Sequence, residues 1–182
     1  VVGDSKSGRI IHFQVFYHLC EFLSGQRTFG MAPAFGPARL DIVPADYVAK
    51  LIAWSSTTPA TRGRVLHSCS GPELALGLNP LRTRVRREFT RVGRHVPAVI
   101  DLSTGAFRTI LNVASWLMPA EARRAVKTLP VFLDYLATEQ TFANKQTLAL
   151  SAADGLVLPE PEDYLGPVLG YYLAQLSHKV SR

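Results

Sequence analysis

The stretch LDIVPADYVA, residues 40–49, predicts a short strand that runs directly into a helix. The strand is expected over residues 40–43. Asp46 has the short acidic side chain that is favoured at the start of a helix, and we expect it to cap a helix that continues to Ser55. The predicted buried face of that helix consists of Val48, Leu51 and Ile52.

Further elements are predicted on either side of this stretch. Residues 1–3 are typical of the end of a buried strand. An apolar helix is expected over residues 9–24, a loop over residues 26–39, and another strand over residues 64–69. The resulting order of strand, helix, strand, helix and strand is typical of an α/β domain.

The helix predicted over residues 9–24 is apolar on nearly every side. We expect Ser7 to cap its start and Gly25 its end. Such a helix is either buried between a sheet and a helical layer, or it forms a wall of a pocket for an apolar substrate. It is too short to span a bilayer. The polar groups of such a pocket would be His12, Gln14, Tyr17 and His18.

The residues that follow Pro72 are predicted to be mostly helical, so we place a domain boundary near that proline. A brief strand or extended link is expected over residues 97–102, and Asp154-Gly155 marks a turn. The expected helices cover residues 81–92, residues 105–118, residues 120–141 with a kink at Pro130, and residues 162–177. The buried stripe of the last helix is predicted to contain Tyr164, Leu165, Val168, Leu169, Tyr172, Leu173 and Leu176.

Composition indicates an ordinary soluble, globular protein. Of its 182 residues 47% are hydrophobic and 19% are charged, which excludes disorder for most of the chain. Two cysteines are too few for a disulfide framework, so we expect a reducing compartment and a cytoplasmic protein. No secretory signal is recognisable, and because the first residue is Val1 we expect the chain to be a piece of something longer.

The net charge of +6 favours acidic partners, and an arginine-rich helix carries much of it. That helix is either a solvated face or a landing site for a phosphate or an acidic protein, because guanidinium groups pair with such oxygens. We do not expect nucleic acid as a partner, since aromatic residues are not interleaved with the arginines. The arginines are Arg82, Arg84, Arg86, Arg87, Arg91 and Arg94, opposed within the helix by Glu88.

Other chemical patterns are weak. His12 and His18 are six residues apart, which on a helix puts them on different faces, so no metal site is predicted. His67 and Cys69 suggest a thiol nucleophile, but we favour a buried structural cysteine. The chain contains no G-x-G-x-x-G or G-x-x-x-x-G-K loop, no Tyr-x-x-x-Lys pair and no G-x-S-x-G elbow. We therefore assign no catalytic residue.

Three stretches that bracket nearly the whole chain share one resemblance. The first is VVGDSKSG, residues 1–8, and the second is LDIVPADYVA, residues 40–49. The third consists of Phe142-Ala143-Asn144, Asp154-Gly155 and residues 159–164. Together they resemble the C-terminal half of an extended short-chain dehydrogenase/reductase, in the fatty acyl-CoA reductase and thioester reductase branch.

The resemblance implies an α/β fragment, namely the C-terminal portion of a doubly wound, Rossmann-like sheet plus a mostly helical substrate lobe. Residues 1–71 would be the last strands and helices of the NAD(P)-binding domain, with insertions that belong to the substrate lobe. Residues 72–182 would be the helical substrate-binding region. The cofactor, NADPH or NADH, would be bound mainly by an N-terminal Rossmann half that this segment lacks.

The resemblance also implies site residues. The backbone of Val1, Val2 and Gly3 would lie near the nicotinamide, while Asp4 and Ser5 would border the substrate. Further substrate contacts are expected from Phe13 and Tyr17 in the first helix, and from Arg39, which matches a diphosphate-binding arginine of sugar-nucleotide relatives.

The resemblance implies that the chain is the substrate-binding part of an NAD(P)H-dependent reductase whose substrate is an acyl-CoA or an acyl carrier protein thioester. The segment alone is expected to be inactive. A sugar-nucleotide epimerase or dehydratase of the same superfamily is an alternative. A non-catalytic module that binds lipid or an acidic protein is another. No transmembrane segment is expected, and peripheral contact with a membrane stays open.

Overall fold

The computed structural model describes residues 1–117 and 142–180 of the chain, and they form a mixed α/β structure that is mostly helical. The helices are α1 (Val15–Ser24), α2 (Ala45–Thr57), α3 (Gly71–Leu74), α4 (Leu78–Arg91), α5 (Thr104–Leu117), α6 (Lys145–Ala152) and α7 (Pro161–Val180). The strands are β1 (Met31–Pro33), β2 (Arg39–Leu40), β3 (Leu76–Gly77) and β4 (Ile100–Leu102). The predicted α/β class is therefore confirmed at this level.

The described strands form two separate pairs. Strands β1 and β4 are parallel, with Met31 opposite Ile100, whereas β2 and β3 are antiparallel, with Arg39 opposite Gly77. Val2 adds an isolated parallel bridge, because its N–H donates to the Val43 carbonyl at 2.8 Å and its carbonyl accepts from Ala45 at 3.1 Å. A doubly wound sheet is a more specific arrangement than these pairs, and it stays a proposal.

The main hydrophobic core lies where α1, α4 and α7 pack together. The spacing of Leu81, Val85, Phe89 and Val92 predicts one buried stripe on α4. Leu81, Val85 and Phe89 are fully buried, as predicted, whereas Val92, which follows the last residue of the helix, is 44% exposed. Helix α7 also buries its predicted stripe, apart from Leu176, which is only partly buried. This core combines residues from both sides of Pro72, and the predicted domain boundary stays a prediction.

A second, smaller core lies under α2. It consists of Val43, Tyr47, Leu51 and Leu158. The predicted face of α2 is therefore wrong at Ile52, which is 63% exposed, because the side of the helix that carries Tyr47 and Leu51 packs against the chain around Leu158.

Helix α1 begins at Val15, six residues later than predicted. Ser7 does not cap it, because the Ser7 hydroxyl donates to the Asp4 carboxylate inside a turn. The intervening residues are irregular, and Ile11 is 91% exposed. The predicted end is confirmed, since Gly25 adopts a left-handed conformation with φ of 81° and closes the helix.

One predicted strand is absent, and one strand occurs where a loop was predicted. Residues 64–68 form no strand, and Val65 is 78% exposed, so this run has no buried face that would hold it in a sheet. Residues 26–39, predicted as a loop, contain β1, which is stabilised by a partner 69 positions away. Strand β4 and the turn at Asp154-Gly155 occur where they were predicted. The helix over residues 120–141 and the kink at Pro130 lie outside the described residues.

Candidate functional site

The candidate site begins at the N-terminal turn, residues 1–8. The Asp4 carboxylate accepts hydrogen bonds from the backbone of Lys6 and from the backbone and hydroxyl of Ser7. The hydrogen bond from the Ser7 backbone, followed by that from its hydroxyl, lowers the pKa of Asp4 below its ordinary value. The turn closes through Gly8, whose N–H donates to the Asp4 carbonyl at 2.8 Å. Asp4 is therefore the organising residue of the turn.

Two glycines allow this turn to lie directly on α7. A Cβ atom at Gly3 would come within 2.2 Å of the Gly8 carbonyl oxygen. Gly8 has a φ of 69°, and a Cβ atom there would come within 2.1 Å of the Pro167 carbonyl oxygen. Neither position can hold a side chain without a backbone shift, so the turn has a fixed place against the helix.

Ser5 and Asp46 fasten the turn to the first turn of α2. The backbone N–H and the hydroxyl of Ser5 both donate to the Asp46 carboxylate, each at 2.8 Å. Burial alone would raise the pKa of Asp46, but the two hydrogen bonds from Ser5 outweigh it, and the pKa lies below its ordinary value. The prediction that Asp46 caps the helix is wrong, because α2 begins at Ala45 and this carboxylate is turned toward Ser5.

A cleft of about 270 Å³ opens beside this pair. One wall is formed by Ser5 and α2, and the other by the chain between α6 and α7. Lys50 lies one helical turn after Asp46, and its ammonium group is 3.5 Å from the Asp46 carboxylate. The lining residues are Ser5, Asp46, Tyr47, Lys50, Gly155, Leu156, Val157 and Pro159. The cleft thus combines an apolar wall with a hydroxyl, a carboxylate and an ammonium group.

Parts of the three stretches that carry the resemblance contact one another near this cleft, whereas Phe142-Ala143-Asn144 contacts His67 and Cys69 instead. The first contacts the second through Val2 at Pro44 and through Ser5 at Asp46. The third contacts the second through Tyr164, whose hydroxyl donates to the Ile42 carbonyl at 3.0 Å. Segments that are more than a hundred residues apart in the chain are thereby joined at one place.

Tyr17 and Phe13 belong to an aromatic cluster beside the turn. The Phe13 ring lies 4.9 Å from that of Tyr17 and 4.8 Å from that of Tyr172, both edge to face. Tyr17 is fully buried, and its hydroxyl accepts a hydrogen bond from the Gly3 N–H at 3.0 Å. Burial raises the pKa of Tyr17 to about 12. Tyr17 therefore holds the backbone at Gly3, and the more accessible Phe13 covers it.

Arg39 lies apart from the cleft. It stands on β2, and its Nε donates to the Ala75 carbonyl at 3.0 Å. The predicted site residues Val2, Gly3, Asp4, Ser5 and Tyr17 share the N-terminal turn and its contacts, whereas Arg39 does not join them.

Most arginines of the arginine-rich helix bind neighbouring parts of the same protein. Arg82 pairs with Asp101, and Arg86 donates to the carbonyls of Ser24 and Pro97. Arg84 and Arg91 both pair with Glu88, which is buried between them. Four of the six predicted arginines are therefore engaged with neighbouring elements.

Two glycines of α7 lie beside two of these arginines. Gly166 lies under the guanidinium group of Arg84, and Gly170 lies under that of Arg91. Arg84 also pairs with Glu162 at the start of α7. The arginine side chains thus join α4 to α7 over the hydrophobic core.

The cysteine and histidine patterns have structural explanations. Cys69 is buried, as predicted, and burial raises the pKa of its thiol. His67 is exposed, and its Nδ1 lies 3.0 Å from the Ala143 carbonyl. His12 precedes α1, so the helical spacing assumed for His12 and His18 does not apply. Within residues 1–117 and 142–180, no group of three or more histidine, cysteine or acidic side chains is arranged to hold a metal ion.

Sequence reasoning missed the far wall of the cleft and Lys50. The signal for Lys50 was its spacing of four residues from Asp46 on a predicted helix, which brings an acid and a base together. The wall at residues 155–159 gave no such signal, because these residues are joined to α2 only by tertiary contacts.

Compared with protein families, with curated proteins and with solved structures, the chain matches none of them. In the part of the chain that the structure describes, no helix has the length and apolarity to cross a bilayer.

Proposed function

We propose that this chain is the substrate-binding C-terminal part of an NAD(P)H-dependent reductase that acts on fatty acyl or carrier-bound thioesters. The observation that carries the proposal is that one cleft is lined by Ser5, by residues of the first turns of α2 and by the segment before α7. These residues belong to the stretches that resemble the reductase branch, and a shared binding site would explain why the resemblance is found in all three.

The fixed backbone at Val2 and Gly3 supports a role beside the nicotinamide. Val2 is held by Val43 and Ala45, and Gly3 is held by Tyr17, so this strand end has a defined position before any ligand binds. Hydride transfer to a thioester carbon needs such preorganisation and a site from which water is excluded. The cofactor itself supplies the hydride, and an N-terminal half would hold most of it.

The cleft supports a role in binding the acyl donor. Leu156 and Val157 offer an apolar wall, and the mostly exposed Lys50 side chain also lines the cleft, so its ammonium group can pair with a phosphate of coenzyme A or of a carrier's phosphopantetheine arm. The Ser5 hydroxyl donates to the same Asp46 carboxylate that the Lys50 ammonium group approaches. An acyl thioester joins an apolar chain to an anionic carrier, which is the combination that this lining suits.

Calorimetric titration of the 182-residue chain tests the proposal. Octanoyl-CoA should bind, and Lys50→Gln should weaken its binding about fivefold, the effect of one surface ion pair of about 1 kcal/mol. Lys145→Gln, a matched change at an exposed lysine on α6, should leave the affinity unchanged. A second titration uses UDP-glucose instead of octanoyl-CoA. Tighter binding of UDP-glucose would favour the epimerase or dehydratase alternative.

Cofactor oxidation provides a second test. NADPH should be consumed with octanoyl-CoA only when these residues are joined to a dinucleotide-binding half. Turnover by the 182-residue chain alone would contradict the proposal, as would the absence of binding to any acyl-CoA.

A further inference from the structure

Phe29 has an unusual backbone conformation for a large side chain. Its φ is 52°, in the left-handed region, and it is the only non-glycine residue with a positive φ within the described ranges. The residue is also 78% exposed. A phenylalanine in this conformation is strained, and no burial of its ring offsets that strain.

The loop around Phe29 is held rigidly in place. Gly25 and Gly30 bound it with φ of 81° and 86°, and the Gly30 N–H donates to the Gly25 carbonyl at 2.9 Å. A side-chain amide of Gln26 donates to the His95 carbonyl at 2.8 Å. On the far side, the Gly30 carbonyl accepts from Ile100 at 3.0 Å. The fold therefore imposes the strained conformation and keeps the ring in solvent.

The surroundings of this loop combine apolar and basic side chains. Val99 and Ile100 are both exposed beside Gly30 on the adjoining strand segment. The side chain of Gln26 donates to the backbone of His95, and Arg94 is the preceding residue. The Arg94 side chain makes no hydrogen bond or ion pair within the described residues. We name this surface the Phe29 patch, and it consists of Phe29, Arg94, His95, Val99 and Ile100.

Acidic groups near the Phe29 patch are already neutralised. Glu21 is mostly buried and pairs with Arg27, and it also accepts from Tyr172. Asp101 follows Ile100 and pairs with Arg82. The patch therefore presents apolar side chains and positive charge, on a chain whose net charge is +6.

We propose that the Phe29 patch docks this protein on the surface of a bilayer that carries anionic headgroups. An exposed ring and aliphatic side chains enter the boundary between headgroups and acyl chains, while the guanidinium group of Arg94 binds a phosphate. The inference is independent of the proposed reductase function, since it depends only on the patch.

Co-sedimentation with vesicles tests the inference. The 182-residue chain should bind vesicles of phosphatidylcholine mixed with phosphatidylglycerol, and bind vesicles of phosphatidylcholine alone much more weakly. Phe29→Asn should reduce partitioning about tenfold through lost apolar contact. Asn tolerates the left-handed conformation, so this variant should keep or raise the melting temperature. Arg94→Gln should reduce partitioning about fivefold, the loss expected for one basic side chain near the surface.

Val65→Asn is the matched control, because Val65 is as exposed as Phe29 but lies in another segment. It should bind vesicles as the wild type does. Equal binding to both kinds of vesicle, or binding that neither Phe29→Asn nor Arg94→Gln weakens, would overturn the inference. Lipid-free dimers that Phe29→Asn dissociates would also overturn it, since the patch would then bind a second copy.

Discussion

The N–H of Gly3 donates to the hydroxyl oxygen of Tyr17 at 3.0 Å, in a place where Tyr17 has no exposed surface. This hydrogen bond joins the N-terminal turn to α1, fourteen residues later in the chain. It determines where the backbone beside the cleft is held. Loss of either partner should therefore affect both stability and the site.

Tyr17→Phe should lower the free energy of unfolding by about 1–3 kcal/mol, because a buried N–H loses its acceptor while the ring contacts remain. Urea denaturation measures the change. Tyr171→Phe removes a hydroxyl from a less buried neighbour in the same aromatic cluster, and it should cost less than about 0.5 kcal/mol. Equal effects of the two variants would argue against a special role for the Gly3 contact.

Gly3→Ala should be severely destabilising, by about 3 kcal/mol or more, since the new methyl group would collide with the backbone at Gly8. Gly36→Ala serves as its control, because the space around Gly36 is open within 4 Å. The control should change stability by less than about 0.5 kcal/mol. Thermal and urea unfolding of both variants check the pair, and a Gly3→Ala protein as stable as Gly36→Ala would refute the close approach.

Arg86→Met should destabilise the protein by about 1–3 kcal/mol. Its guanidinium group is partly buried, donates to the carbonyls of Ser24 and Pro97, and has a pKa that burial lowers. Arg87→Met, on the exposed side of the same helix, should have an effect below about 0.5 kcal/mol. The two urea midpoints distinguish a structural arginine from a solvated one, and the prediction fails if they coincide.

Asp46 should make part of the stability depend on pH. Its pKa is lower in the folded protein than its ordinary value of 3.8, so the unfolded chain binds the proton more tightly. The stabilisation is therefore fully present above the unfolded pKa, and it is lost as the pH falls through the lower, folded value. The difference in unfolding free energy between wild type and Asp46→Asn should shrink below about pH 4. A difference that stays constant into acid would contradict this coupling.

Both cysteines should resist a thiol reagent in the folded protein. Cys20 is completely buried and Cys69 nearly so, and burial raises the pKa of each thiol. At neutral pH, two equivalents of an aromatic disulfide should react in urea and almost none in buffer. Rapid reaction of one equivalent with native protein would revive the nucleophile hypothesis for Cys69.

Sequence patterns predicted the elements whose stability is local. Helix α4 buries Leu81, Val85 and Phe89 on one side, as 3.6-residue periodicity indicates. Helix α7 begins at Pro161, one residue before its predicted start. The left-handed end of α1 at Gly25 was also predictable. Each of these features depends on residues within a few positions of one another.

The failures concern long-range contacts. Aspartate is a residue type favoured at the N-cap of a helix, yet the Asp46 carboxylate accepts hydrogen bonds from Ser5, which is 41 residues earlier. Strand β1 is short and ends in Pro33, so only its pairing with β4 identifies it. Of the residues expected to border a substrate, Ser5 lines the cleft and Asp4 organises the adjoining turn, and their role toward a substrate stays a prediction. The wall at residues 155–159 was not predicted, since no local pattern encodes which distant surface a loop will face.

The parallel pairing of Met31 with Ile100 has a consequence for the order of folding. Parallel strands cannot be joined by a tight turn, and here α2, α3 and α4 all intervene. Closing so long a loop costs entropy that only the packed helices can offset, so this pair should form late. The placement of the Phe29 ring beside Val99 and Ile100 therefore depends on one of the last contacts that the chain makes.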